Sequence, residues 1–386
     1  MGRLVCLLLG LVLMHGSASQ TPKEISEGRP PRIVCYYTPG NPDIEDIPGD
    51  LCTNILYSFS SLNTDTWEII PGNYKFDIEE GGYTRFTGLK EKFPHLKTDL
   101  SFGHENFKYL IRYKERRDKF VTSVVKLLSE CRFDGFDIDW EFPLLPIERQ
   151  NYPAMIDELR AAFDAEGRGW NLSIAVPSDI YLTAIGYDVP ALCESLDSVN
   201  FMGYDLRSEK EGFTDVHSLL YRRPKLDYFI YYYSNVNDCI MKWVNGGCPR
   251  HKLMLGVPFY GRSFTLLNPS WHNLHAPAKF GNAGWVNYNE ICKGFLDEPG
   301  WVREYDDVGL VPWAYKDLLW IGYEDTDSLM IKMDYIREQG FGGAMNWRIN
   351  TDDYTGYCGQ GTYPLLRTLN YGLENYTVPV NVPSTV

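Results

Sequence analysis

The chain has 386 residues, a net charge of −14 and a pI near 5.0. That acidity opposes non-specific binding to the phosphate backbone of nucleic acid and favours a neutral or cationic partner. Aromatic residues make up 15% of the sequence, and rings such as its 27 Tyr and 10 Trp suit stacking on sugars as well as core packing.

Met1 to about Ser19 carries an Arg near its start, an apolar run from Leu4 to Met14 and the small residues Ser17-Ala18-Ser19. This is the pattern of a cleaved secretory signal over residues 1–19, too short to span a bilayer as a mature anchor. No later segment is apolar enough for a membrane helix, so a secreted, extracellular protein with no membrane partner is expected. Beyond the signal, cysteines stand at 35, 52, 131, 193, 239, 248, 292 and 358, an even count that suits disulfides in an oxidising compartment. Cys239 and Cys248 bracket a Gly-Gly turn and form a candidate local bridge, whereas Cys131 and Cys193, just before predicted strands, read equally as bridge partners or as buried free thiols. The sequence holds no CxxC, HxH or HExxH pattern, and neither a metal nor a cofactor is expected.

Short apolar, β-branched or aromatic runs predict strands at Arg32–Tyr37, Asn54–Phe59, Lys97–Phe102, Gly135–Asp139, Asn171–Pro177, Ser198–Tyr204, Lys252–Pro258 and Gly342–Trp347. Between them, Arg117–Cys131, Tyr152–Glu166 and Ser328–Gln339 place apolar residues at helical spacing. Strands alternating with helices in this way predict an α/β fold, a (β/α)₈ TIM barrel. The interval from Arg262 to Gly340 is far longer than a crossover needs, so residues 264–323 are read as an inserted α+β subdomain between strands seven and eight. The segment 374–386, with Pro379 and Pro383 and little periodicity, reads as a short loose tail. Asn375-Tyr376-Thr377 is an N-glycosylation sequon in that tail, and Asn171-Leu172-Ser173 is a second at the start of a predicted strand.

The fourth strand carries the chemistry. In Phe136-Asp137-Ile138-Asp139-Trp140-Glu141 the three acids fall on one face and the three large apolar residues on the other. Like charges this close repel, and burying an ionised carboxylate is costly unless it is paired or takes up a proton. The acids are therefore expected to share protons, leaving the terminal Glu141 poised to protonate a leaving group. A barrel gathers catalytic groups from the carboxyl ends of several strands. The sixth strand ends Met202-Gly203-Tyr204-Asp205, the seventh leads into Tyr260-Gly261-Arg262, and the eighth ends Met345-Asn346-Trp347. The first two add Tyr36 and Phe59.

Asp134-Gly135-Phe136-Asp137-Ile138-Asp139-Trp140-Glu141, followed by Phe142-Pro143, resembles the D-G-x-D-x-D-x-E signature of family 18 glycoside hydrolases, the chitinases and chitinase-like lectins. The resemblance covers residues 31–372 and implies a secreted chitinase acting on β-1,4-linked N-acetylglucosamine, read as a monomer whose partner is chitin or its oligosaccharides. It implies Glu141 as general acid and base, Asp139 as the group that orients the substrate acetamide, Asp137 as its proton-sharing neighbour and Tyr204 as a donor to the acetamido oxygen. Trp347 then floors the central subsite, with Tyr36, Phe59, Trp140, Met202, Asp205, Tyr260, Arg262 and Met345 as further sugar-binding residues. It also favours disulfides Cys35–Cys52 and Cys292–Cys358, and it supports the insertion.

The chain departs from that pattern where the family's third strand ends S-x-G-G-W. Here the residues are Ser101-Phe102-Gly103-His104-Glu105, and Thr38-Pro39-Gly40 replaces an aromatic after the first strand. Arg348, after Trp347, is a further unusual polar residue. Both missing rings would stack on sugars, so weak grip on long chains is expected. The alternative function is a glycan-binding lectin or matrix protein on the same scaffold, with little or no hydrolysis; the retained Glu141 argues for the enzyme.

Overall fold

A computed structural model of the protein describes residues 28–281 and 284–380. The expected signal, 1–19, lies outside the described residues. Parallel strands Arg32–Tyr37, Asn54–Asn63, Lys97–Phe102, Gly135–Asp139, Asn171–Pro177, Ser198–Met202, Leu253–Pro258 and Gly343–Trp347 follow one another around a closed ring. The last strand pairs with both the seventh and the first, and the first also pairs with the second, which closes the (β/α)₈ barrel.

Two barrel strands differ from expectation by more than a single residue. The second runs on to Asn63 because Glu68–Ile70 folds back and pairs with it as a hairpin. The sixth stops at Met202, where tight turns bend the chain out of the sheet, Gly203 N–H to Phe201 O and Tyr204 N–H to Met202 O. Position 203 has to be glycine, since a Cβ there would meet the carbonyl oxygen of Gly256 at 2.5 Å.

The helices follow from their sequences. Lys114–Cys131 turns Phe120, Val124 and Leu128 inward at fourfold spacing. Pro146–Glu166 begins six residues before the apolar pattern does, because Pro146 starts it and the Glu148 carboxylate accepts the free N–H groups of Leu144 and Leu145. Thr326–Gln339 is capped by Asp325, which accepts from the N–H groups of Asp327 and Ser328, and ends at Gly340 with φ +71°.

After the seventh strand the chain enters an antiparallel sheet of five strands, ordered Trp285–Asn287, Tyr260–Thr265, Leu319–Gly322, Val311–Lys316 and Val302–Asp306. This is the inserted subdomain. Its sheet begins at Tyr260, four residues before the expected boundary, so Tyr260 and Arg262 reach the barrel mouth from the insertion.

Disulfides join Cys35 to Cys52, Cys193 to Cys248 and Cys292 to Cys358. The expected Cys239–Cys248 bridge is therefore wrong. Cys239 lies on helix Val236–Asn245, buried, with its thiol donating to the Tyr233 carbonyl and its pKa pushed up to about 12, first by burial. Cys248 lies past the end of that helix and meets Cys193 instead. The tail is not loose as far as residue 380: Arg29 and Val378 exchange backbone hydrogen bonds, and the Tyr376 hydroxyl donates to the Phe341 carbonyl at 2.9 Å. Among the described residues no helix is long and apolar enough to cross a membrane.

Candidate active site

Asp137 and Asp139 point into the barrel, whereas Phe136 and Ile138 are fully buried against the helices. Asp137 receives donors from four strands: Tyr36 Oη at 2.8 Å, Ser101 Oγ at 2.7 Å, Ser173 Oγ at 2.6 Å and Asn200 Nδ2 at 3.1 Å. Each carboxylate oxygen takes two, which fills its lone pairs. Burial raises the pKa of Asp137 and these bonds pull it back. Asp139 has no such shell, and its buried Oδ1 has no hydrogen-bond partner. Burial, then the charges of Glu141 and Asp137, raise its pKa well above the carboxylate range. Of the two buried acids Asp139 is thus the one whose charged form the site disfavours most, and no hydrogen bond joins it to Asp137.

Glu141, just past the strand, faces an open cleft of about 680 Å³ lined also by Asp139, Phe59, Tyr204, Asp205, Tyr260 and Trp347. Its carboxyl is accessible, yet the cleft walls exclude enough water that burial, followed by the charge of Asp205, raises its pKa. Asp205, with φ +57°, is gripped by the Arg262 fork at 2.9 and 2.7 Å, and His217 Nδ1 lies 3.4 Å away. Burial opposes the Asp205 charge, but His217 and Arg262 outweigh it and hold the carboxyl well below the usual range. A lasting negative charge thus stands beside Glu141. The Tyr204 hydroxyl has only the Met345 sulfur at 3.8 Å, a weak acceptor, and can donate to a ligand.

Trp347 stacks near-parallel on Phe59, ring centroids 5.8 Å apart, and tilts against Tyr36. Of the residues singled out in the sequence, Phe59, Met202, Tyr204, Asp205, Tyr260 and Trp347 line the cleft. Trp140 does not. It is 4% exposed and packs edge-on to Phe107 and Tyr152, because strand alternation turns it toward the helices, so it is not a sugar contact. Tyr36, Met345 and Arg262 stand behind the lining, supporting Asp137, Tyr204 and Asp205 in turn. Asn171 is not a glycan acceptor, since its amide is engaged by Arg32 and Asp99 and the sequon's Ser173 is buried on Asp137. Asn375 and Thr377 are exposed.

The sequence reading missed Trp285, which lines the cleft from the insertion, flat against Tyr260 at 3.4 Å and 10°. A lone Trp in an irregular insertion carries no periodic signal; only the folding back of the sheet brings it to the mouth. His104 also lines the cleft. Its Nδ1 accepts the Asn106 N–H at 3.0 Å, which leaves Nε2 as the donor.

The family described as Glycosyl hydrolases family 18 matches residues 32–352. An endochitinase of Manduca sexta is 39% identical over 380 residues, covering 90% of this chain and 68% of that protein. The crystal structure of a group IV chitinase from Ostrinia furnacalis superposes with a TM-score of 0.84 at 31% identity, covering 89% of this chain and 99% of that one. Human YKL-39, described as a pseudo-chitinase with retained chitooligosaccharide binding properties, superposes with a TM-score of 0.82 at 29% identity, covering 89% and 99%. The chain that carries this barrel, this insertion and this acidic strand belongs to glycoside hydrolase family 18.

Proposed function

We propose that the protein is a secreted, monomeric chitinase that hydrolyses β-1,4 bonds between N-acetylglucosamine units by substrate-assisted, retaining catalysis. The observation that carries this reading is Glu141, accessible in the cleft beside Asp139, with the pKa of both carboxyls raised first by burial. Glu141 donates its proton to the glycosidic oxygen as the bond to the anomeric carbon breaks, and the substrate's own N-acetyl oxygen attacks that carbon. Asp139 orients the acetamido nitrogen and stabilises its developing positive charge, while Tyr204 donates to the acetamido oxygen. Water then opens the cyclic intermediate, giving its proton back to Glu141, with overall retention. Asp137, held by its four donors, fixes the negative potential beneath Asp139. Asn375 is the candidate glycan site.

The second reading, a glycan-binding lectin, is favoured only by the altered third-strand end, Gly103-His104-Glu105, which removes a ring from the cleft without touching the acid. Turnover of the N-acetylglucosamine tetramer separates the two. The wild type cleaves it, and Glu141→Gln, which keeps shape but has no proton to give, loses roughly 10²–10⁴-fold or more in rate with affinity retained. An inactive wild type that still binds the tetramer establishes the lectin.

A further inference from the structure

The segment Tyr228–Tyr233 carries six consecutive large apolar or aromatic residues and lies outside the cleft lining. Phe229 is 93% exposed and Ile230 70%, with Tyr228, Tyr232 and Tyr233 also open to solvent. Isolated exposed apolar residues are ordinary, but a contiguous patch marks a contact surface. The patch is also held in place. Phe229–Tyr231 forms a 3₁₀ turn in which Phe229 has φ +51°, a conformation a bulky side chain rarely adopts. Tyr231 turns inward, over the Arg207 guanidinium at 4.5 Å and edge-on to Phe213.

Both ends of the segment are fastened to one buried ion cluster. Arg207 bonds Asp227 before the loop and the Ser234 carbonyl and hydroxyl after it, while Arg223 bonds Asp227, Asp215 and the insertion's Asp306. Buried ion pairs add little net stability against well-packed apolar groups, and their best-attested use is to fix one geometry. Here the fixed geometry is a turn that presents rings to solvent.

We propose that Tyr228–Tyr233 is a docking surface for polymeric N-acetylglucosamine, an aromatic platform that continues the cleft wall and lies against the faces of sugars outside it. Continuity with the cleft identifies the occupant. Ser234, the residue after the segment, lines the cleft, and the helix that follows, Val236–Asn245, packs on helix Ile180–Gly186. The exposed Tyr181 of that second helix lies between the cleft-lining residues Asp179 and Leu182. A chain leaving the cleft on this side therefore meets rings, and tyrosines offer both the apolar face and the hydroxyl that a pyranose needs. The net charge of −14 opposes the other apolar occupant, an anionic bilayer. The proposal rests on the chitinase reading and extends it from soluble oligomers to the solid polymer.

The test compares the wild type with the triple variant Phe229→Ser, Ile230→Ser, Tyr233→Ser, and with the single Phe229→Trp. Adsorption to powdered chitin falls about tenfold or more in the triple variant, at roughly threefold per lost ring, and rises by up to about twofold in Phe229→Trp, which enlarges a ring already present. Turnover of the soluble tetramer stays within about twofold of wild type in both. Absent wild-type adsorption, or equal adsorption by wild type and triple variant, overturns the docking surface whatever the soluble activity. So does a loss confined to partitioning onto phosphatidylcholine vesicles, or to self-association in sedimentation, with adsorption unchanged. A wild type inert on the tetramer but adsorbing through this loop defeats the enzymatic reading alone.

Discussion

The cleft has two unlike banks. After the third strand stand Gly103, His104 and Glu105, small or polar positions in the cleft lining. After the sixth strand and along the insertion stand Trp285 stacked on Tyr260, then the ring-rich turn Tyr228–Tyr233. The barrel order sets the third and seventh strands on opposite sides, so the third-strand loop and the insertion that follows the seventh face one another across the acids. The acids and the stacking surfaces are therefore carried by different elements: the acids stand on the fourth strand, while the flat ring pair Trp285 on Tyr260 comes from the insertion.

The largest effect tests that separation on the barrel axis. Asp139→Asn leaves both banks alone but weakens the group that stabilises the developing charge, and its rate on the tetramer falls roughly 10²–10³-fold with little change in affinity. Steady-state kinetics paired with calorimetry checks it, and a matching loss of affinity breaks the separation. Trp285→Ala removes a ring from the rich bank and weakens the tetramer up to about tenfold, read as a rise in Kd. Glu105→Trp supplies a ring to the poor bank and tightens long oligomers by up to about tenfold, leaving the disaccharide nearly unchanged. Oligomer-length titrations show whether the two substitutions act in opposite senses, as the asymmetry requires.

The smallest effect is on pH dependence. Asp205 raises the Glu141 pKa through its charge, second only to burial. Removing that charge in Asp205→Asn lowers the Glu141 pKa, and Glu141 must be protonated to act as acid. The alkaline limb of the rate profile therefore moves to lower pH. An unmoved or upward-shifted limb dissociates Asp205 from the titration of Glu141. The variant also leaves the half-buried Arg262 without its carboxylate, so a lower Tm is expected alongside.

The barrel was legible because its strands are short apolar runs separated by helical spacing, and the acids were legible because they share one strand at alternate positions. Their support was not. Ser101, Ser173 and Asn200 come from three different strands; the parallel register sets Ser101 and Ser173 level with Asp137, and Asn200, one inward-facing position further along, reaches it through its side-chain amide. Trp140 was misread because an indole beside a catalytic acid suggests a sugar contact, although the same alternation that aims Glu141 at the cleft aims Trp140 away. Proximity in sequence suggests pairing Cys239 with Cys248, whereas helix Val236–Asn245 buries Cys239 as a free thiol and Cys248, past the helix end, bonds Cys193. The Arg207 and Arg223 cluster, which spans loop and insertion, has no sequence pattern at all.

The most direct measurement is turnover of fully acetylated against fully deacetylated pentamers by the purified wild type. In the proposed mechanism the substrate's N-acetyl oxygen is the nucleophile and Asp139 acts through that acetamide, so the acetylated chain is cleaved and the deacetylated chain is not. Equal rates on the two chains contradict substrate assistance and require a protein nucleophile in its place.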